Sequence, residues 1–350
     1  MKLPRHAALC FMLAALAAPA AQAMTEPQIV NVYSYRQPFL IKPLFDDFTA
    51  RTGIRVQTVF AKKGLIERIA IEGKRSPADV LLTVDIGRVS RAGRDIGRRV
   101  ESRILERHIP PQFRDPERRW FGLTRRARVI YAARDRVKRD ALTYEELTAP
   151  EWRGRICTRS GRHPYNVALF AALIVHHGED WVKNWLTGLK ANLAQKPSGN
   201  DRAQVKRVAA GVCDIALGNT YYMGQMETND THPEQKAWAA AVRLIFPNSE
   251  TRGTHVNISG MVMARHAPHP ENAYRLMEYL ASKEAQRLYA EVNFEYPVRA
   301  DVKPSPRVAG WGDFTPDPLP LARLAAGGAD SPWQRAAALV DETGFDRGPE

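Results

Sequence analysis

Strand-like and helix-like stretches alternate along the first third of the chain. Residues 28–34 are rich in β-branched and aromatic side chains, which is typical of a strand. Apolar residues then recur at helical spacing from 41 to a stop at Gly53, and 54–60 alternate as a second strand. This order predicts a βαβ unit, which a helix over 64–72 and a buried parallel strand over 78–83 extend.

The rest of the chain continues in the same style. It predicts strands over 120–124, 127–131, 154–158, 213–218 and 255–263. It predicts helices over 143–147, 167–176, 181–189 and 333–340, and two consecutive helices over 271–290. A Pro- and Gly-rich stretch, 304–328, is predicted to be a surface connection. Alternating elements favour parallel sheets, whose ligands collect beyond the carboxyl ends of strands, here the loops 34–38, 159–166 and 218–224.

The N-terminus predicts export from the cytoplasm. Lys2 and Arg5 precede an apolar run over 7–20 and the small-residue pattern Ala21-Gln22-Ala23, which together indicate a cleavable signal peptide over 1–23. The run is too short to span a bilayer. Cleavage leaves 350 − 23 = 327 residues, more than one hydrophobic core usually holds, so we expect two lobes with a cleft between them.

The cysteines agree with an oxidising compartment. Cys10 lies inside the apolar run of the signal, which leaves Cys157 and Cys213 in the mature chain. An even pair in an exported protein predicts one disulfide, with two buried thiols as the alternative.

Charge and motifs exclude two function classes. The net charge of the whole chain is +13, and that of the mature chain is 13 − 2 = +11 because the signal carries two bases and no acid. The bases are scattered among acids without an RNA-binding aromatic signature, so we expect no nucleic-acid partner and a solvated basic face that favours anionic membrane surfaces. Metalloprotease, nucleophile-elbow and phosphate-loop motifs are absent from the sequence, which argues against an enzyme.

Tyrosines occupy two of the candidate ligand loops. Tyr165 lies in the loop 159–166, and Tyr221 and Tyr222 follow Gly218 and Asn219, where we expect the strand to have ended in irregular backbone. A phenolate is a hard oxygen ligand that suits a highly charged cation such as Fe(3+), which must displace the phenol proton. The alternative for the adjacent pair is one packed ring and one surface ring. His163 is expected to be a hydrogen-bonding neighbour, and Asp85 a helix cap.

Six segments resemble the periplasmic ferric-ion-binding proteins of bacterial ABC-type iron importers, over nearly all of the mature length. They are YSYRQP at 33–38, SPADVLLTVD at 76–85, WFGLT at 120–124, RARVIY at 126–131, GNTYY at 218–222 and GTHVNISG at 253–260. The resemblance implies a type 2 periplasmic-binding fold, with two α/β lobes joined by hinge strands and a ligand cleft between them. It implies a first lobe over 24–125 and about 255–295 and a second over about 126–254 and 296–350.

The same resemblance places the metal ligands on Tyr165, Tyr221 and Tyr222. Many relatives add a His-Tyr pair from the first loop, but the corresponding positions here are Gln37 and Pro38. Three phenolates leave positions open on an octahedral ferric ion, and the related branch fills them with carbonate or bicarbonate, or with water.

An anion in the site needs hydrogen-bond donors. The candidates are Arg126 first, because its planar fork suits such a ligand, then Gln37 and Arg36, with a hinge or surface ion pair as the alternative for each. The implied partner is an ABC-type iron permease of the inner membrane, served by a periplasmic monomer. The competing hypothesis is a binding protein of the same fold for a small anion or organic solute.

Overall fold

The computed structural model describes residues 28–326 and 328–349. The predicted signal peptide over 1–23 lies outside the described residues. Among the helices in the described ranges, none is both long and apolar enough to cross a membrane.

The described chain alternates strands and helices from its start. The strands are β1 (Ile29–Ser34), β2 (Arg55–Phe60), β3 (Val80–Thr83), β4 (Phe121–Ala133), β5 (Ile156–Cys157), β6 (Ile215–Asn219), β7 (Val242–Ile245), β8 (Val256–Met263) and β9 (Tyr296–Pro297). The helices of the first half are α1 (Pro38–Thr52), α2 (Leu65–Glu72), α3 (Ile86–Asp95), α4 (Arg103–His108) and α5 (Pro164–His177). Those of the second half are α6 (Glu179–Ala191), α7 (Asp201–Ala209), α8 (Tyr221–Glu227), α9 (Glu234–Ala240), α10 (Pro270–Leu280), α11 (Lys283–Asn293), α12 (Pro306–Ala309), α13 (Ala322–Ala325) and α14 (Pro332–Glu342).

The strands form a mixed sheet in the order β2-β1-β3-β8-β4-β6-β5, and β7 and β9 pair with β4. β1 is parallel to both β2 and β3, which confirms the predicted βαβ unit and its extension. β8 is antiparallel to β3 and β4, and β5 is parallel to β6. The carboxyl ends of β1, β5 and β6 therefore lead into the three loops that were expected to hold a ligand.

β4 corrects the prediction of two separate strands over 120–124 and 127–131. It is one strand of 13 residues that pairs with β8 and β9 in its first part and with β6 and β7 in its second. The charged pair Arg125 and Arg126 interrupts the apolar pattern, yet Arg126 is buried. In the local sequence a charged residue looks like the end of a strand, whereas in the folded protein this one is buried.

Other differences concern short elements. The helix expected over 143–147 is a 3-10 helix, Glu145–Thr148. The connection over 304–328 holds α12 and α13, and it buries Leu321 and Leu324 against the core instead of lying wholly on the surface. Trp120, Trp152 and Trp185 are buried in the core.

A disulfide joins Cys157, at the end of β5, to Cys213, just before β6, as the sequence predicts. Both cysteines are buried and 56 residues apart in sequence. The bond therefore fastens the start of the Tyr165 loop beside the strand that leads to Tyr221.

Replacing both cysteines with alanine is expected to lower the free energy of unfolding by about 4 kcal/mol, because the unfolded chain regains the entropy of an open loop. Urea denaturation of the oxidised parent and of the double variant measures the difference. An unchanged midpoint would show that the bond does not stabilise the fold.

Candidate metal site

Three tyrosines converge on one cavity of about 240 Å³. The hydroxyl of Tyr221 donates a hydrogen bond to the hydroxyl of Tyr165 over 3.1 Å, and the ring centroids of Tyr221 and Tyr222 are 4.4 Å apart. Other lining side chains are Tyr35, Arg36, Gln37, Phe39, Leu40, Val84, Arg126, Arg202, Gln225 and Glu295. The structure therefore brings together the three predicted tyrosines and the three predicted anion donors.

Tyr165 is held at the N-terminus of α5. Pro164 occupies the first turn, and the Nδ1 atom of His163 accepts a hydrogen bond from the Tyr165 amide over 3.2 Å. The expectation that His163 is a hydrogen-bonding neighbour is confirmed. Burial lowers the pKa of His163 to about 3, so its ring is neutral and can act as this acceptor.

Tyr221 and Tyr222 begin α8, and only Thr220 separates them from the end of β6 at Asn219. The strand ends before the pair, as expected, but the irregular backbone predicted there is replaced by a direct strand-to-helix passage. Gly218 is needed for another reason, since a Cβ atom there would lie 2.0 Å from the ring of Tyr131. Consecutive residues of a helix are offset by about 100°. Both rings can therefore face the same side.

Burial keeps the tyrosine pair protonated in the absence of metal. It raises the pKa of Tyr221 well above the usual value, and the neighbouring Tyr165 and Tyr222 act in the same direction. Burial, helped by the Asp201 carboxylate, raises the pKa of Tyr222 to about 12. A ligand that takes up these phenolates must carry enough positive charge to displace both protons.

Arg126 supplies buried positive charge at the cavity. Its side chain is 1% exposed, and none of its three guanidinium nitrogens has a hydrogen-bond partner within the described residues. Its guanidinium carbon lies 5.6 Å from the centroid of the Tyr165 ring. An unpaired buried guanidinium is costly, so this arrangement suits an anion that accepts its hydrogen bonds.

The other two predicted donors differ from Arg126. Arg36 forms an ion pair with the buried Glu295 at 3.0 Å, which was the alternative considered for it. Its Nη1 atom also donates to Asn293, which leaves Nε without a partner among the described side chains. Gln37 precedes α1 without capping it and is exposed at the cavity. Of the three, Arg126 is therefore the best placed to bind an anion.

Sequence reasoning missed Arg202, Gln225 and Glu295. Arg202 lies over the Tyr222 ring at 5.3 Å and donates to Gln225 over 2.9 Å. The missed signal was the start of α7, where the N-cap residue Asn200 precedes apolar residues at helical spacing. Glu295 follows a helix that was predicted, but its contact with Arg36 spans 259 residues and has no local signal.

Other candidate ligands have structural roles. Asp85 caps α3 by accepting from the Arg88 amide, as expected. Within the ranges that the structure describes, no group of three or more His, Cys, Asp or Glu side chains could hold a metal ion.

Comparisons with known proteins identify the family of the chain. The family described as bacterial extracellular solute-binding protein matches residues 100–310. Iron uptake protein A1 of Synechocystis sp. is 45% identical over 94% of this chain and 90% of its own length.

Solved structures extend the similarity to the fold. Ferric iron-binding protein A of Mannheimia haemolytica, in an open conformation, is 50% identical with a TM-score of 0.86, covering 91% of this chain and 99% of that one. A Trichodesmium protein (IdiA, FutA) in complex with iron and citrate is 40% identical with a TM-score of 0.84 over 91% of this chain and 99% of that one. The fold is therefore that of type 2 periplasmic binding proteins, and the chain belongs to the bacterial extracellular solute-binding protein family, in the group that holds these iron uptake and ferric-binding proteins.

Proposed function

We propose that this protein captures Fe(3+) in the periplasm with Tyr165, Tyr221 and Tyr222 and delivers it to an ABC-type permease of the inner membrane. The main support is that three phenol groups converge on a cavity that also holds the unpaired guanidinium of Arg126. The similarity to iron uptake and ferric-binding proteins over more than nine-tenths of the chain supports the ferric ion as cargo. Binding proteins of this kind carry a solute and catalyse no reaction.

Charge balance supports an anion beside the metal. Three phenolates neutralise a trivalent ion, so a carbonate or bicarbonate leaves the complex negative. Arg36 is already balanced by Glu295, whereas Arg126 has no acidic partner within the described ranges. Arg126 therefore holds the anion through paired hydrogen bonds, and Gln37 is available at the open side of the cavity.

The lobe arrangement gives a capture mechanism. The tyrosines come from the second lobe over about 126–254, whereas Arg36 and Gln37 come from the first lobe over 24–125. β4 pairs with β8 up to Ala127 and with β6 from Arg128 onward, which supports a crossover close to Arg126. Closure of the first lobe over the loaded tyrosines then presents the iron-bound form of a monomer to the permease.

Absorbance titration tests the proposed function. Ferric phenolate complexes absorb visible light, so ferric citrate added to the metal-free protein is expected to give an orange to red colour that saturates at one iron per chain. Added bicarbonate is expected to tighten binding. A colourless protein that instead binds a small anion or organic solute would favour the competing hypothesis.

Acid is expected to release the metal. Binding converts three phenols to phenolates and so releases three protons, and the raised pKa values of Tyr221 and Tyr222 make two of these harder to remove. The ferric affinity should therefore fall about a thousandfold for each pH unit between about pH 8 and pH 6. Competition with a chelator of known protonation constants measures this slope, and a pH-independent affinity would rule out tyrosinate ligands.

A further inference from the structure

Asp201 is a fully buried carboxylate behind the tyrosines. It is the first residue of α7, and its side chain is 0% exposed. Oδ2 accepts hydrogen bonds from Arg128 Nη1 over 3.0 Å and from the Asn219 amide over 2.9 Å. Oδ1 accepts from Arg159 Nη1 over 2.9 Å. Both oxygens are therefore occupied by donors from three separate parts of the chain.

Two of these donors lead to Tyr165. The guanidinium carbon of Arg159 lies 5.2 Å from the centroid of the Tyr165 ring. Arg128 Nη2 donates to Asn166 Oδ1 over 2.6 Å, and Asn166 follows Tyr165 in α5. The side-chain Nδ2 of Asn166 in turn donates to the carbonyl of Arg159 over 3.0 Å. Asp201 thus acts on Tyr165 in two ways, through Arg159 beside the ring and through Arg128 and Asn166 along the helix that carries it.

The remaining contacts lead to the tyrosine pair. The Asn219 amide bound by Asp201 is two residues before Tyr221, and the Asn219 side-chain oxygen accepts from Arg128 over 3.1 Å. Arg202, which follows Asp201 in α7, lies over the Tyr222 ring. One carboxylate therefore joins the segment that carries Tyr165 to the segment that carries Tyr221 and Tyr222.

We propose that Asp201 is a positioning residue for the metal site, which holds the two tyrosine-bearing segments in register so that their hydroxyls meet before metal binds. This inference rests on the proposed function for its ligand. Groups that orient metal ligands from outside the coordination sphere affect affinity by about 10- to 100-fold in known metal proteins.

A purely structural role predicts a different outcome, and Asp79 provides the matched comparison. Asp79 is also 0% exposed, and it accepts hydrogen bonds from the amides of Asn31 and His269 at 2.7 Å each. Its contacts join β1 to the segment before α10, and it does not line the tyrosine cavity. Losing either carboxylate should weaken folding, but only Asp201 acts on the tyrosines.

Asp201→Asn is the informative variant, because asparagine keeps the size but has one acceptor oxygen. Whichever way the amide is turned, its nitrogen faces a guanidinium or backbone amide donor, so at least one of the three hydrogen bonds is lost. At a temperature where the variant is folded, its ferric affinity is expected to fall by about tenfold or more. The visible absorption band is expected to shift or weaken. Asp79→Asn is expected to lower the melting temperature while keeping the affinity and the band of the parent.

Three results would overturn the inference. The first is a folded Asp201→Asn variant with the affinity and band of the parent. The second is an Asp79→Asn variant that loses as much affinity as Asp201→Asn at an equal loss of melting temperature. The third result applies if Asp201→Asn does not fold. Arg159→Gln then removes only the hydrogen bond to Asp201 beside Tyr165, and the inference fails if this variant keeps the ferric affinity and absorption band of the parent.

The metal-free variant separates this inference from the proposed function. A crystal structure of metal-free Asp201→Asn is expected to show the hydroxyls of Tyr165 and Tyr221 farther apart than the 3.1 Å of the parent. An unchanged distance would contradict the positioning role. A parent protein that binds no iron would instead contradict the proposed function and leave this distance as the test of Asp201.

Discussion

Replacing Tyr221 and Tyr222 together with phenylalanine is expected to abolish the visible colour of the ferric complex and to lower ferric affinity by far more than about a hundredfold, since even groups outside the coordination sphere cost up to about that factor. Two of the three phenolates are then missing, and the open positions on the ion can be filled only by water or added anion. The phenyl rings keep the packing. The metal-free double variant should therefore melt within about 4 °C of the parent, because it loses little more than the hydrogen bond to Tyr165.

Phenylalanine at Tyr33 and Tyr274 gives a matched double control. Neither residue lines the tyrosine cavity. This control is expected to keep one iron per chain and the parental absorption band. Stoichiometric ferric binding by the Tyr221 and Tyr222 variant would exclude the pair as ligands, even if the colour changed.

Replacing Arg126 with glutamine is expected to remove the effect of bicarbonate on ferric binding. The guanidinium has no partner within the described part of the chain, so its two parallel donors are free for a planar anion. Losing a pair of charged hydrogen bonds should lower affinity at saturating bicarbonate by roughly a hundredfold or more. The metal-free variant should melt at or above the parental temperature, because an uncompensated buried charge is gone.

Arg125 is the control for this substitution. It is the neighbour of Arg126 in β4, where successive side chains point to opposite faces, and its Nε donates to the carbonyl of Pro297 over 3.1 Å. Arg125→Gln is expected to keep the bicarbonate dependence. An Arg126→Gln protein whose affinity still rises with bicarbonate as in the parent would show that the anion is held elsewhere.

The regular elements were predictable because their sequence signals are local. The apolar spacing before Gly53 predicts α1, and the two consecutive helices near the end of the second half separate at Ser282, which caps α11 as its side chain accepts from the Ala285 amide. Strands β1 and β2 then follow from alternation and β-branched residues. The disulfide was also accessible, since only one pair of cysteines remains after the signal.

The features that the sequence did not predict correctly depend on contacts between residues distant in sequence. β4 was predicted as two strands because charged residues in its centre resemble a loop, although Arg126 is buried in the structure. The bond from Arg128 to Asp201 spans 73 residues, so no local pattern indicates it. The sequence could place tyrosines at the ends of β5 and β6, but the network that holds them together required the structure.

Ultraviolet difference absorbance during ferric titration reports tyrosinate ligation itself, because ionisation of tyrosine has its own signature near the aromatic band. The metal-free protein, titrated with ferric citrate in bicarbonate buffer, is expected to show three tyrosines ionised for each iron bound, and the Tyr221 and Tyr222 double phenylalanine variant is expected to show no tyrosine ionisation at the same ferric concentrations. Binding of one iron per chain without any tyrosine ionisation would contradict the account.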